Sequence, residues 1–235
     1  MSRTNLSVTL ALALLWAPPL LAECSSPFSE QSDAVSGKVT QVDFRENEGS
    51  VRIEATTDGS ARWSVRYCVD GWFGPSASEL DGVKATVENS GGKLRIGTDI
   101  PSGVDEDDVV PHWTVSIPAS ASLQLEMGAG DISVTGIAGG VEINASVGDV
   151  EVDVPAGALE IDVGVGDITA TWGPGDYGSA DADANVGDAR LSVGGRNVDV
   201  AHAPGPGHRI GLHGSGKGPS LSVEVNVGDA SLRIR

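Results

Sequence analysis

The residues able to do chemistry are few. His202, His208 and His213 lie close together, and imidazoles at such spacings can meet around zinc or copper. They stand among glycine and proline with no adjacent carboxylate or Cys, so a solvated loop is the expectation. "GLHGSGKG" (211–218) nearly spells a phosphate-binding loop. Its last position is Gly218 rather than Ser or Thr, Pro219 follows, and strand patterns flank it where a helix is needed. It reads as a glycine-rich turn. "DEDD" (105–108) offers hard oxygen ligands but lacks the alternation and glycine of an EF-hand loop. Trp72 and Phe73 in "DGWFGP" are adjacent aromatics suited to a partner contact, a sugar ring or a cap over an open end. The chain has no G-x-S-x-G elbow and no paired-His metalloprotease motif. No catalytic residue, firm metal site or cofactor is assigned, and the expectation is a protein that is not an enzyme. Paired carboxylates acting on polysaccharide are the alternative.

The carboxylates that recur do so in a frame. Gly-Asp appears as Gly130-Asp131, Gly148-Asp149, Gly166-Asp167, Gly187-Asp188 and Gly228-Asp229, with spacings of 18, 18, 21 and 41 residues. Counting from each Asp, positions −8, −6, −4 and −2 are apolar, as in Leu159, Ile161, Val163 and Val165. That is the period of a strand with one buried face. After the Asp the parity changes, and positions +1 and +3 are apolar, as in Ile168 and Ala170. The chain must bend between the two strands, and an αL-type glycine with a backbone-bonding Asp suits such a corner. A unit this short cannot bury its apolar face alone, but stacked units can. The expectation is an all-β, single-stranded β-solenoid of about 18–21-residue Gly-Asp repeats, with rungs about 4.8 Å apart.

The 41-residue gap predicts one degenerate rung, with Val198 and Val200 at its start and Ile210 and Leu212 resuming the pattern. Upstream, Val42, Phe44, Val51 and Ile53 fit the template with Ser50 in the place of Asp, and Lys93, Leu94 and Ile96 do likewise. Outward positions −7 and −5 place Glu142, Glu160, Asp162, Asp181, Asp183 and Asp199 in an acidic stripe. Such a stripe suits weak calcium binding, or is only a solvated face.

Residues 1–22 read as a secretory signal peptide, with Arg3, an apolar run and Ala22 at the cleavage point. Irregular β coils are expected over 23–112 and regular Gly-Asp repeats over 113–235, as one continuous domain. Without Arg3 the chain carries 14 basic and 33 acidic residues, a balance that repels nucleic acid and anionic lipid. No later apolar run is long enough to span a bilayer as a helix. Cys24 and Cys68, in an exported chain, are expected to form one disulfide.

"WTVSIPASASLQLEMGAGDISVTG" (113–136), followed by iterated Gly-Asp strands, resembles the bacterial putative-adhesin β-strand-repeat family of unknown function. The resemblance implies an envelope-associated protein, periplasmic or at the cell surface, with a non-catalytic binding, adhesin-like or scaffold role toward an envelope protein or glycan. Some members are linked to envelope-stress sensing, so a cation-dependent sensor is a further alternative. The family brings no catalytic residues.

Overall fold

Alternating burial runs the length of the molecule. A computed structural model describes residues 28–69, 80, 82–198 and 207–235. Among these, the regular elements are strands apart from one 3-10 turn at Glu106–Asp108. The upstream strands are β1 (Ser29–Val35), β2 (Gln41–Glu48), β3 (Ser50–Thr56), β4 (Ala61–Val69), β5 (Lys84–Ser90), β6 (Lys93–Asp99) and β7 (Val109–Pro118). Each Gly-Asp then joins a pair of strands. These are β8 (Ser122–Ala129) with β9 (Ile132–Thr135), and β10 (Val141–Val147) with β11 (Val150–Val154). Next come β12 (Leu159–Val165) with β13 (Ile168–Trp172), and β14 (Ser179–Val186) with β15 (Ala189–Val193). A short β16 (Arg196–Asn197) and β17 (His208–His213) precede the final pair, β18 (Ser220–Val227) and β19 (Ala230–Ile234).

The protein is all-β, with two mixed sheets. Strands before the corners form the order β17-β14-β18-β12-β10-β8-β2-β6-β5. Strands after them form β1-β4-β7-β3-β9-β11-β13-β19-β15-β16. Repeat-equivalent residues are register partners: Val141 with Leu159, Ile143 with Ile161, Ala145 with Val163. Every inward position is therefore a column, and the columns of both sheets merge into one core. Each buried Val, Leu or Ile contributes roughly 1.5–3 kcal/mol, against about 0–1 for an exposed ion pair. The columns, rather than surface pairs such as Arg45–Glu126, hold the stack together.

Four expectations need correction. The layers do not follow chain order: β18 lies between β12 and β14, and β19 between β13 and β15. The 21-residue spacing explains this, because three extra residues let the chain step past one layer, which residues 220–235 later fill. The region before that last pair is not a degenerate parallel rung. β16 and β17 instead fold back antiparallel on β15 and β14; Val200 lies outside the described residues. Lys93 is not a corner either: β5 and β6 form an antiparallel hairpin over Gly91 and Gly92, at φ 62° and 89°. Leu94 and Ile96 then pair with Val42 and Phe44 before the corner, not after it.

The fourth correction concerns the corners. Gly130, Gly148, Gly166, Gly187 and Gly228 have φ of 132–145°, beyond αL and in a region essentially reserved for glycine. Position −2, expected inside, is outside: Val147, Val165, Val186 and Val227 are exposed. The register skips Ser146 and Gly164 just before them, so face parity shifts before the corner rather than at it.

The corner glycines also touch one another. A Cβ on Gly166 would overlap the carbonyl oxygen of Gly148, one layer away. Gly166→Val should therefore cost about 3 kcal/mol or more, and Asp167→Asn less, because Asn keeps the acceptor oxygen. Gly59, whose φ is also positive, faces open space, and Gly59→Ala should cost only about 1 kcal/mol. Urea denaturation of the three variants checks the order; comparable losses would refute the corner assignment.

Candidate functional site

The corner at 148–150 leaves three backbone N–H groups to satisfy, and neighbouring layers satisfy all of them. Gly148 N–H donates to Val165 C=O at 2.9 Å, and Val150 N–H to Asp167 C=O at 2.9 Å. Between them, Asp149 N–H donates to the Asp131 carboxylate at 3.3 Å. The same carboxylate bond joins Asp167 to Asp149, Asp229 to Asp167, and Asp188 to Asp229, at 2.9, 2.8 and 2.9 Å. The five aspartates thus form one ladder, in layer order 131, 149, 167, 229, 188. At its end Arg190 pairs with both Asp188 and Asp229. The N–H of Asp188 first, then Arg190, hold the Asp229 carboxyl below its ordinary range. Ser50, in the place of Asp, hydrogen-bonds His112 Nδ1 at 2.7 Å.

The expected acidic stripe is rearranged by the layer order. Glu142 and Glu160 are register partners. Glu160 and Asp181, however, both face Ser222 rather than each other. Asp162 and Asp183 are separated by Glu224, which pairs with both, so position −5 presents three acids on successive layers. Asp199 lies outside the described residues. Glu224 takes part only because the last pair of strands is inserted. The 21-residue spacing was the signal for it, as was the all-Ala set Ala180, Ala182 and Ala184, which fits a narrower outer layer.

The other candidates do not converge. His208 and His213 are five residues apart on β17, so they face opposite sides, and His202 lies outside the described residues. His208 pairs with Asp188 at 3.1 Å. Residues 214–219 connect β17 to β18 with no helix following. Glu106 in the acidic loop accepts from Asn47 Nδ2 at 2.7 Å. Among the described residues, no group of three His, Cys, Asp or Glu is placed to hold a metal, and no helix is long and apolar enough to cross a membrane. Cys68 is buried near the end of β4. Cys24, Trp72 and Phe73 lie outside the described residues.

A groove of about 710 Å³ crosses β2, β8, β10 and β12 on the outer face, just before the corners. Its floor is low because position −3 is small, as in Gly128, Ser146 and Gly164; Glu126, Asn144 and Asp162 stand on one side. Arg45 pairs with Glu126 at one end. Glu46, also at that end, occupies the column of Met127. Its Oε2 accepts from Thr98 Oγ1 at 2.6 Å and Trp113 Nε1 at 3.0 Å. Burial pushes the Glu46 carboxyl up, and these hydrogen bonds only partly offset it. Asp43 shows the opposite balance: burial raises its carboxyl, but Lys93 and Arg45 together hold it below the usual range.

No family model matches the chain, and no curated protein matches it. Solved structures do. A "putative cell adhesion protein" from Clostridium sporogenes is 13% identical with a TM-score of 0.56, over 89% of this chain and 100% of that one. A "putative adhesin" from Bacteroides fragilis is 13% identical with a TM-score of 0.30, over 88% and 97%. A third, from Parabacteroides distasonis, is 9% identical with a TM-score of 0.27, over 88% and 97%. The first likeness shows a shared fold; the other two scores carry no argument.

Half-buried Glu46 gives the stability a pH dependence. A carboxyl raised in the folded state contributes its full stability below the unfolded value, and that contribution is lost as pH rises through the folded one. Gln cannot ionise, so the melting temperature of Glu46→Gln relative to the parent should climb between pH 4 and pH 8. A difference that is flat or falls with pH would refute the burial account.

Proposed function

We propose that this chain is an exported β-solenoid of the bacterial cell envelope, periplasmic or at the cell surface, with a non-catalytic, adhesin-like binding or scaffold role. The observation that carries the reading is the in-register stacking of equivalent positions. It turns each outward residue type into a continuous row and makes the outer face a long, regular surface suited to a partner. The likeness to the clostridial structure supports the fold on which this rests. Membership of the putative-adhesin β-strand-repeat family, a signal peptide over 1–22 and a Cys24–Cys68 disulfide belong to the same reading. So do the continuity of 23–112 with 113–235 and a partner contact at Trp72 and Phe73. The partner is an envelope protein or glycan. Capture from native envelope with the exported full chain should recover one, and the chain should begin at Glu23. Recovery of none, or turnover of envelope glycan lost on Asp162→Asn, would overturn the reading.

Weak calcium binding at the acidic rows is part of the proposal, with no other cofactor. Like charges one layer apart repel by about 1 kcal/mol per pair in water, and Asp162, Glu224 and Asp183 make two such pairs. A bridging cation would favour the folded state. Millimolar calcium should raise the melting temperature beyond sodium chloride at matched ionic strength. Asp162→Asn with Glu224→Gln should remove most of the excess. Equal shifts with the two salts would leave the rows as solvated faces.

A further inference from the structure

The large apolar side chains left exposed among the described residues all belong to one column. Val147, Val165, Val227 and Val186 are 47% to 52% exposed, and they are register partners along four successive strands. Strand propensity does not demand this, because Thr has the same branched shape and a similar preference. A contiguous exposed apolar row rimmed by polar residues is a candidate interaction site.

What flanks the row defines the partner. Three residues before each valine stand Asn144, Asp162, Glu224 and Asp183; two residues after stand Asp149, Asp167, Asp229 and Asp188. The valines are therefore an apolar strip between two acidic rows. At the outer end Arg209 pairs with Asp183 and Arg190 with Asp188 and Asp229, while no ion pair among the described residues engages Asp162 or Glu224. The small residues at Ser146 and Gly164 open the groove beside the strip.

Spacing narrows the choice further. The valines recur every layer, about 4.8 Å. An α-helix presents its apolar stripe once per turn, about 5.4 Å, so over three steps the mismatch is only about 2 Å. An extended peptide repeats a face about every 6.7 Å and loses register by about 2 Å at each step. We propose that this strip docks a cationic amphipathic helix. The apolar stripe lies along the valine column, and Lys or Arg on either flank faces the two acidic rows. The inference deepens the binding role proposed above and rests on it.

The test uses the full exported chain and a synthetic peptide of about four helical turns, with a Leu stripe flanked by Lys. A peptide of the same composition, permuted to scatter the Leu residues, is the control. By fluorescence anisotropy the striped peptide should bind at least about tenfold tighter than the control, gain helix on binding, and weaken as salt is raised. Val165→Thr with Val227→Thr should lose about tenfold in affinity while keeping the melting temperature. Asp162→Asn with Glu224→Gln should weaken binding and flatten its salt dependence. Equal binding of both peptides, or indifference to the valine variants, would overturn the proposal. Concentration-dependent self-association abolished by those variants would overturn it too, by making a second copy the occupant. If an envelope partner is captured but stays bound to the valine variants, the binding role survives and this site falls.

Discussion

Everything in the molecule hangs on how one layer's corner meets the next. Bending a strand at each repeat leaves the amide of the Asp without a ladder partner, and a hydrogen bond made there contributes roughly 0.5–1.5 kcal/mol. The carboxylate one layer away supplies the acceptor, and the glycine before it lets the backbones approach closely enough for it to reach. The two residues are therefore one device. Glycine alone would give a bend with an orphaned donor, and aspartate alone could not adopt the bend.

Because the device joins layers rather than neighbours in sequence, it sets the spacing at which everything else is copied. Core residues become columns, and outward residues become rows, acidic on three successive layers at Asp162, Glu224 and Asp183. Within the ladder the carboxylates of Asp131, Asp149, Asp167 and Asp229 each accept a backbone N–H from the next layer, and Asp188 at the end is met by Arg190. At both ends the sheets turn antiparallel, with β1 and β4 after β7, β5 after β6, and β16 and β17 at the far side. These strands blunt the parallel edges that would otherwise add further copies.

Much of this was legible in the residues. Period two around Gly-Asp matches the strands on either side of each Gly-Asp, but the buried face turns before the glycine rather than at the Asp. Exposure at position −2 was not legible, because valine there looks like one more buried residue. Only the register skip at Ser146 and Gly164 shows that the face has already turned. Layer order was also hidden, since a periodic pattern states which residues are equivalent and not which equivalents touch. Glu224 between Asp162 and Asp183 follows from the same cause. The hairpin at Gly91-Gly92 is hidden in the sequence because Leu94 and Ile96 fit the template equally well on either side of a corner. The candidate binding face depends on both features: its apolar strip and its contiguous acids exist only in the folded layer order.

The inserted pair β18–β19 has a consequence for how the protein is made. Residues 220–235 are synthesised after both layers they separate, yet they form an interior layer of the stack. Coils from β8 to β13 can assemble as they emerge, but β14 and β15 have no seat until the later segment arrives. Premature termination within that segment would remove a middle layer, not a tail, and leave two unsatisfied sheet edges facing each other.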